Sequence, residues 1–308
     1  MQSARGKRIY VQEVSARDGF QMEAIFVPTD RKVDYIDRLS RTGLAKIEVS
    51  SFVSPSAIPA LSDAETVFQR ITRVPEVEYA ALVPNMRGCE RALLAGVGEL
   101  NLVMSASESH NRANLRMSCG ESLAQFAVIL DRVGTAAPVN ASLSTAFGCP
   151  FDGEVPLSRV LEWISLCANL GIGRISLCDT TGMANPAQVR DVFATVRNRW
   201  PGLRVTAHFH NTRGMGLANA LAAVESGVDR FDASLGGLGG CPFAPGATGN
   251  VCTEDLVHMF DAMGYDTCVD LDALLAISKD LPALVGHDVS GQVVKAGSYR
   301  RRYAAPSR

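Results

Sequence analysis

The sequence lacks the signatures of several protein classes. No Cys-x-x-Cys pair occurs among its eight cysteines, so the spacing of a zinc clamp or a redox dithiol is absent. No apolar run approaches membrane-spanning length, and residues 1–8 carry charge without the apolar stretch of a signal peptide. We therefore expect reduced thiols, no membrane partner and a cytoplasmic location.

Blocks of like charge are also scarce. The 30 Lys and Arg nearly balance the 32 Asp and Glu, and the one block is the three arginines at 300–302, so no nucleic-acid partner is expected. Hydrophobic residues make up 47% of the chain and charged residues 20%, which suits a large buried core and not a disordered chain. We predict a single domain over residues 1–308.

Short β-branched runs alternate with longer amphipathic stretches. Glycines at predicted helix ends, such as Gly43 and Gly134, and helix starts such as Asn185-Pro186 separate the segments. The predicted strands are 9–14, 45–51, 77–83, 99–104, 139–145, 174–178, 203–208 and 228–235. Their repeated order favours parallel pairing and predicts an α/β fold, a (β/α)8 TIM barrel over about residues 9–264 with extra C-terminal helices over about 265–300. An open doubly wound sheet shares this pattern and stays an alternative.

Polar residues collect at the carboxyl ends of the predicted strands, where the active site of such a barrel lies. His208 and His210 end the seventh strand, and their spacing of two points both imidazoles the same way. With Asp18 across the rim and Asn250 after the eighth strand, they predict a metal site. The oxygen-rich set suits Mg²⁺ or Mn²⁺ better than structural zinc. A non-haem iron centre, which also uses two His and one carboxylate, is a second possibility.

Other strand ends carry further candidates. Arg17 is either part of a rim ion pair or a guanidinium that stabilises negative charge on a substrate. We expect Glu48, Asp179 and Thr180 to lie against the substrate. The alternative for the two carboxylates is that they are interior groups, satisfied by neighbours or orienting an Arg or His.

A glycine-dense loop, residues 236–250, follows the eighth predicted strand. Glycines allow such a loop to fold closely over a ligand or to move as a lid. Cys241 lies within it. Most single cysteines are buried and inert, but the position of this one predicts a thiol that takes part in proton transfer.

Several segments resemble 3-hydroxy-3-methylglutaryl-CoA (HMG-CoA) lyases. They are EVSARDG at 13–19, IEVSSFVSP at 47–55, GCPFDG at 148–153, DTTG at 179–182, HFH at 208–210 and GGCPFAPGATGN at 239–250. The similarity covers nearly the whole chain. It implies that four residues bind the metal and that four residues are catalytic. The implied ligands are Asp18, His208, His210 and Asn250, and the implied catalytic residues are Cys241, Arg17, Asp18 and His208.

The reaction that the resemblance implies is a retro-Claisen cleavage, which yields acetyl-CoA and acetoacetate from the usual substrate of the family. A Mg²⁺ or Mn²⁺ ion would polarise the 3-hydroxyl group, Arg17 would stabilise the enolate, and Cys241 would help protonate it. The implied partner is a small acyl-CoA, and we expect a homo-oligomer.

The chain departs from the family pattern near the expected substrate. The departures are Phe20, Met22 and Ala24 where the family usually has Leu, Asn and Lys, Asn140 and Ser142 in place of an Arg and a Tyr, and Asn211 in place of an Asp. They leave the metal set and Cys241 intact. They therefore concern the acyl group and not the reaction: HMG-CoA or a closely related 3-hydroxyacyl-CoA is the expected substrate, and a malyl-type or longer-branched thioester is the alternative.

Two further alternatives concern the activity. Isopropylmalate and homocitrate synthases share the Arg-Asp and His-x-His residues and run a Claisen condensation forward, but they usually carry a long C-terminal extension and lack the cysteine loop. A barrel that only binds CoA or a protein partner is the non-enzymatic alternative. Intact Arg17, Asp18, His208, His210, Cys241 and Asn250 argue against it.

Overall fold

The computed structural model describes residues 6–240 and 249–304. Its strands form one closed barrel in which every neighbouring pair is parallel and β8 returns to β1. The strands are β1 Tyr10–Glu13, β2 Lys46–Ser51, β3 Glu78–Val83, β4 Glu99–Ser105, β5 Val139–Ser144, β6 Arg174–Asp179, β7 Arg204–Phe209 and β8 Arg230–Ala233. The prediction of a (β/α)8 barrel is confirmed, and the open doubly wound sheet is wrong for this chain.

Helices follow the strands around the barrel. The helices are α1 Thr29–Leu39, α2 Ala64–Arg70, α3 Met86–Leu94, α4 Glu108–Leu115, α5 Cys119–Val133, α6 Leu157–Asn169, α7 Pro186–Arg199, α8 Gly216–Glu225, α9 Thr253–Ala262, α10 Leu271–Val285 and α11 Val293–Ala296. The last two, α10 and α11, are the extra C-terminal helices that the sequence predicts. No helix within 6–240 or 249–304 is long and apolar enough to cross a membrane.

Local sequence signals account for the helix boundaries. The Asn185 side chain accepts hydrogen bonds from the N–H groups of Ala187 and Gln188 at 3.1 Å each, and Pro186 takes the first helical position of α7. At the end of α5, Gly134 has a φ of 50°, in the region that favours glycine. Both boundaries agree with the prediction from the sequence.

Strands β1 and β8 end before the residues predicted because the chain turns sharply after each of them. After β1, residues Ser15–Gly19 form a π-helical turn. After β8, residues Leu235–Gly237 form a short 3₁₀ turn in which Gly236 has a φ of 67°. Both turns lie at the carboxyl ends of the strands, so they place Asp18 and the start of the glycine-rich loop at the same end of the barrel.

Ion pairs occupy the opposite end of the barrel. The Arg174 guanidinium donates to Glu78 at 2.6 Å and to Glu99 at 2.5 Å, and the Lys46 ammonium bonds to Glu99 as well. Glu99 is 1% exposed, and a buried charge needs partners. Arg174 and Lys46 provide them. The end of the barrel away from the turns is therefore held together by paired charges.

Candidate active site

A cavity of about 1090 Å³ opens at the carboxyl ends of the strands. A volume of this size is at the upper end of ordinary small-molecule sites. Among the residues that line it are Arg17, Asp18, Thr180, His208 and His210. Five of the residues predicted from the sequence therefore line one cavity.

Asp18, His208 and His210 form a compact cluster. One ligand atom from each residue lies within 4.8 Å of the others, and all three side chains are buried. The two imidazole rings have centroids 5.3 Å apart, as expected for strand residues two apart on the same face. A carboxylate and two imidazoles at this spacing could hold a divalent cation.

Asn250 joins this cluster through its backbone and its side chain. Residues on either side of it bond to the end of β7, since Asn211 N–H donates to the Gly249 carbonyl at 2.8 Å and Val251 N–H to the Phe209 carbonyl at 3.0 Å. The Asn250 amide nitrogen donates to Asp18 Oδ2 at 2.7 Å.

Two buried acceptor atoms of the cluster have no hydrogen-bond partner among the described residues. They are the amide oxygen Oδ1 of Asn250 and the ring nitrogen Nδ1 of His210. Buried polar atoms are rarely left unpaired unless an ion or water satisfies them. The donor set therefore fits a cation, with an unpaired amide oxygen beside the carboxylate and imidazoles.

The charges of the cluster are set by its neighbours. Burial alone would raise the pKa of Asp18, but Arg17 and the two histidines outweigh it and lower that pKa to about 2. Burial and the neighbouring His208 lower the pKa of His210 to about 3. At neutral pH Asp18 is thus a carboxylate and His210 a neutral imidazole. These are the protonation states that metal binding requires.

His208 is oriented by a residue that the sequence reading missed. Its Nδ1 lies 3.2 Å from Asp232 Oδ2 on β8. Burial opposes protonation of His208, but the bond to Asp232 outweighs burial and raises its pKa. With Nδ1 held by Asp232, the nitrogen left for an ion is Nε2. The missed signal was the acid in the Arg-Phe-Asp-Ala strand, where a side chain at every second position points into the barrel.

Arg17 is a buried group and not part of an exposed rim ion pair. Its side chain lies 2.5 Å from Asp18 Oδ1 and 2.5 Å from Glu48 Oε2. The other Glu48 oxygen accepts a hydrogen bond from Asn101 at 2.8 Å. Burial disfavours the charged form, but the two carboxylates raise the pKa of Arg17, so the guanidinium stays protonated. Glu48 lies behind Arg17 and orients it, as one of the two sequence interpretations held.

Asp179 and Thr180 support the loops beside the cavity. Asp179 Oδ1 accepts the N–H groups of Met183 at 2.7 Å and Ala184 at 3.0 Å, and burial raises the pKa of this carboxyl to about 6. The Thr180 hydroxyl accepts the Thr145 N–H at 3.0 Å and lines the cavity. Of the predicted substrate contacts other than Arg17, Thr180 is the one that reaches the cavity surface.

Two buried glutamates fix the turns that carry the cluster. Glu13 accepts hydrogen bonds from the N–H groups of Ser15 at 2.8 Å and Leu235 at 3.0 Å, which links the turns after β1 and β8. Glu254 accepts the Gly236 N–H at 3.0 Å and the Ser278 hydroxyl at 2.8 Å. Burial raises the pKa of Glu254 to about 7.

The wall formed by β4, β5 and β6 carries no ionised side chain at the cavity surface among the described residues. The Asn101 amide oxygen accepts hydrogen bonds from Asn140 at 2.9 Å and Ser142 at 2.8 Å, and Asn140 also donates to Ser176 at 3.1 Å. Asn140 and Ser142, which depart from the family pattern, are therefore joined in one uncharged hydrogen-bonded network.

The other departures lie in different surroundings. Met22 and Ala24 line the cavity, whereas Phe20 is buried against Tyr35 with ring centroids 5.2 Å apart. The Asn211 amide oxygen accepts the Gly216 N–H at 3.0 Å, so this side chain caps the turn before α8 and does not join the metal cluster.

Cys241 lies outside the described residues, and its predicted role stays a prediction.

The chain matches the family model described as HMGL-like over residues 8–281. The match covers well over half of the chain and includes every described residue of the cluster. The chain belongs to the HMGL-like family.

Curated relatives of this HMGL-like protein extend over nearly its full length. It is 46% identical to the hydroxymethylglutaryl-CoA lyase YngG of Bacillus subtilis, over 91% of this chain and 94% of that protein. It is 41% identical to the (R)-citramalyl-CoA lyase of Chloroflexus aurantiacus, over 94% and 95% of the two chains.

A solved structure of an HMG-CoA lyase from Acinetobacter baumannii, in complex with coenzyme A and 3-methylmalate, has a TM-score of 0.94 at 50% identity and covers 99% of both chains. These likenesses confirm the family that the sequence resembles and the enzyme class, a lyase. They disfavour the synthase, oxygenase and non-enzymatic alternatives.

Proposed function

We propose that this HMGL-like protein is a divalent-cation-dependent carbon–carbon lyase that cleaves HMG-CoA or a closely related 3-hydroxyacyl-CoA into acetyl-CoA, or another acyl-CoA, and a keto acid. The observation that carries the proposal is the Asp18, His208 and His210 cluster beside Arg17 on the wall of the large cavity. The relatives named above support the choice of a CoA thioester.

The proposed reaction is a retro-Claisen cleavage. A base removes the proton of the 3-hydroxyl group, and the oxygen electrons form the carbonyl of the keto acid. The bond between C2 and C3 breaks, and its electron pair passes to the thioester carbonyl as an enolate. A proton returned to C2 gives the acyl-CoA product. No oxidant or reductant is required.

Asp18, His208, His210 and Asn250 would hold the ion, and we propose Mg²⁺ or Mn²⁺ because the set has no thiolate and, completed by waters, would be rich in oxygen. A divalent ion bound there lowers the pKa of a coordinated hydroxyl group. A base near Asp18 or His208 is the proposed proton acceptor, since both ring nitrogens of His208 are engaged, Nδ1 by Asp232 and Nε2 by the ion.

Arg17 would stabilise the enolate oxygen. Its guanidinium is buried and fixed by Glu48, so little reorganisation accompanies the development of charge. Cys241 is the proposed proton donor to C2. Its replacement by serine should leave metal binding and the melting temperature unchanged while most of kcat is lost.

A malyl-type thioester is the second candidate substrate. The (R)-citramalyl-CoA lyase at 41% identity and the neighbour solved with 3-methylmalate favour it, because both names point to a C4 dicarboxylate skeleton in place of a glutarate. The uncharged side chains of Asn101 and Ser142 on the cavity wall are compatible with either acyl group.

The test is a panel of CoA thioesters with the purified protein. HMG-CoA, citramalyl-CoA, methylmalyl-CoA and a longer-branched analogue are each assayed for acyl-CoA and keto-acid products. The assay is repeated after chelation and after return of Mg²⁺ or Mn²⁺. We expect cleavage of at least one thioester, loss on chelation and recovery with the ion. Turnover that survives complete chelation would exclude the metal role, and no cleavage of any thioester would exclude the lyase.

A further inference from the structure

Arg116 has a backbone conformation that arginine rarely adopts. It follows the last residue of α4 with φ 59° and ψ 27°, in the left-handed region. The other non-glycine residues with positive φ in the described ranges are Thr145 and Cys268. A side chain with a Cβ is disfavoured there by about 1 kcal/mol, and Gly or Asn is the usual occupant. Strain of this kind concentrates at functional sites, where it serves to aim a side chain.

Arg116 belongs to the lining of the cavity. Arg116 and its neighbours Asn114, Leu115 and Met117 all line the cavity, and Arg116 itself is exposed, so it lies at the mouth. Its guanidinium makes no hydrogen bond or ion pair with any residue in the described ranges. Arg112, one turn earlier on α4, instead pairs with Glu108 at 2.8 Å.

The charges along the cavity make Arg116 distinctive. Two positively charged side chains line the described part of the cavity, Arg17 and Arg116. Arg17 is buried and compensated by Asp18 and Glu48. Among the described residues that line the cavity, Arg116 is thus the exposed cation, and it has no acidic partner among them. An anionic part of a ligand at the mouth would meet this guanidinium first.

We propose that Arg116 binds a phosphate group of the CoA portion of the substrate, an inference that rests on the proposed action on acyl-CoA thioesters. A guanidinium matches phosphate oxygens with two parallel hydrogen bonds. A thioester end in the metal cluster leaves the nucleotide end at the mouth, where Arg116 is exposed. Arg116 is then a binding residue for the carrier and takes no part in bond cleavage.

Arg116→Asn is the decisive variant, because asparagine tolerates the left-handed backbone while the charge is removed. Arg116→Lys keeps the positive charge but cannot donate two parallel hydrogen bonds to one phosphate. Arg112→Asn is the matched control on the same helix. Calorimetry measures the affinity for CoA, dephospho-CoA and pantetheine, and kinetics compare the acyl-CoA with the same acyl group on pantetheine.

We expect Arg116→Asn to weaken CoA binding and raise KM for the acyl-CoA by about tenfold, the size of one charged hydrogen-bonded contact. Its kcat, its activity on the pantetheine thioester and the Arg112→Asn control should be unchanged, and Arg116→Lys should recover part of the loss. If the difference in affinity between wild type and Arg116→Asn persists with dephospho-CoA, Arg116 contacts the diphosphate. If that difference vanishes with dephospho-CoA, Arg116 contacts the 3′-phosphate.

Unchanged CoA affinity in Arg116→Asn would overturn the inference, as would an equal loss with pantetheine, which would indicate a disturbed helix end. A wild-type protein that cleaves thioesters while Arg116→Asn behaves identically defeats this inference alone. A wild-type protein that neither binds CoA nor cleaves any thioester defeats the proposed function together with it.

Discussion

The two walls of the cavity are built from opposite chemistry. On the side of β1, β7 and β8, Arg17 and Asp18 are charged, buried and bonded to each other, and the half-buried Asp232 is bonded to His208. On the side of β4, β5 and β6, Asn140 and Ser142 belong to a network of uncharged groups whose one bond to the charged side runs from Asn101 to Glu48.

This difference separates reaction from selection. Buried charges with displaced pKa values mark the place where charge develops during a reaction. An uncharged network does not stabilise developing charge, but its shape and its hydrogen bonds decide which acyl group fits. The first wall is thus expected to set the rate and the second to set the preferred substrate, and the following changes test that division.

The largest effect is expected from His208→Ala on the charged wall. Loss of one proposed ligand should abolish stable metal binding and reduce kcat by on the order of a thousandfold, since a bound ion contributes several kcal/mol to such reactions. Metal analysis of the purified variant and a product assay measure both. His258→Ala on α9 is the control, and a variant of His208 that retains full metal and activity would contradict the assignment.

Asp232→Asn should have the next largest effect. The amide keeps the shape of Asp232 but removes the negative charge that orients His208, and such supporting groups typically contribute 10- to 100-fold in metal affinity or activity, so a loss of roughly that size is expected. Titration with Mn²⁺ and the kcat of the metal-saturated enzyme are the measurements. Asp229→Asn at the other end of β8 is the matched control. If both variants bind the ion equally well, the bond to His208 has no influence on the site.

Glu254→Gln tests the support beneath the charged wall through stability. The pKa of Glu254 is about 7 in the folded protein, above its ordinary value of 4.5, so the folded state binds its proton more tightly and unfolding releases it. The free energy of unfolding should therefore fall as pH rises from about 4.5 to 7, by up to about 3 kcal/mol from this group. Denaturant unfolding at several pH values should give a smaller fall in the Gln variant. Equal pH slopes would contradict the prediction.

Ser142→Ala on the uncharged wall should have the smallest effect on the reaction. Asn101 loses one of its two donors, which costs about 1 kcal/mol of stability, while metal binding stays the same and kcat changes within about threefold. The ratio of kcat/KM between HMG-CoA and a malyl-type thioester should change more than either metal affinity or kcat. A large loss of metal from this variant would mean that the two walls are not separate.

The charged wall was largely predictable from the sequence, and the reason is local. His208 and His210 lie two apart at a strand end, and Asp18 follows the first strand, so strand geometry and barrel topology suffice to bring them together. Asn250 was included through the motif that contains it. Its backbone pairing with the end of β7 has no signal in the sequence, because it depends on a contact between two loops.

The partners of these residues were harder to predict. Asp232 lies within β8 and Asn101 within β4, and whether such a side chain meets His208 or Glu48 depends on the register of the barrel. The predicted strand ends were within one or two residues, as at β8, but the strand pattern does not specify the register between neighbours, and a slip of one residue turns a side chain to the other face. Asp179 illustrates the same limit, since its carboxylate bonds to the backbone of its own loop and does not line the cavity.

The hydrogen bond between Asp18 and Asn250 joins residues 232 positions apart, at the seam where the last strand closes on the first. A partly synthesised chain therefore has no complete site until its final strand is available, and ion uptake should be a late event that reports completion of the barrel. Once the ion is bound, it would clamp that seam. At free ion one hundred times its Kd, this linkage would add about 2.7 kcal/mol to the stability of the whole barrel.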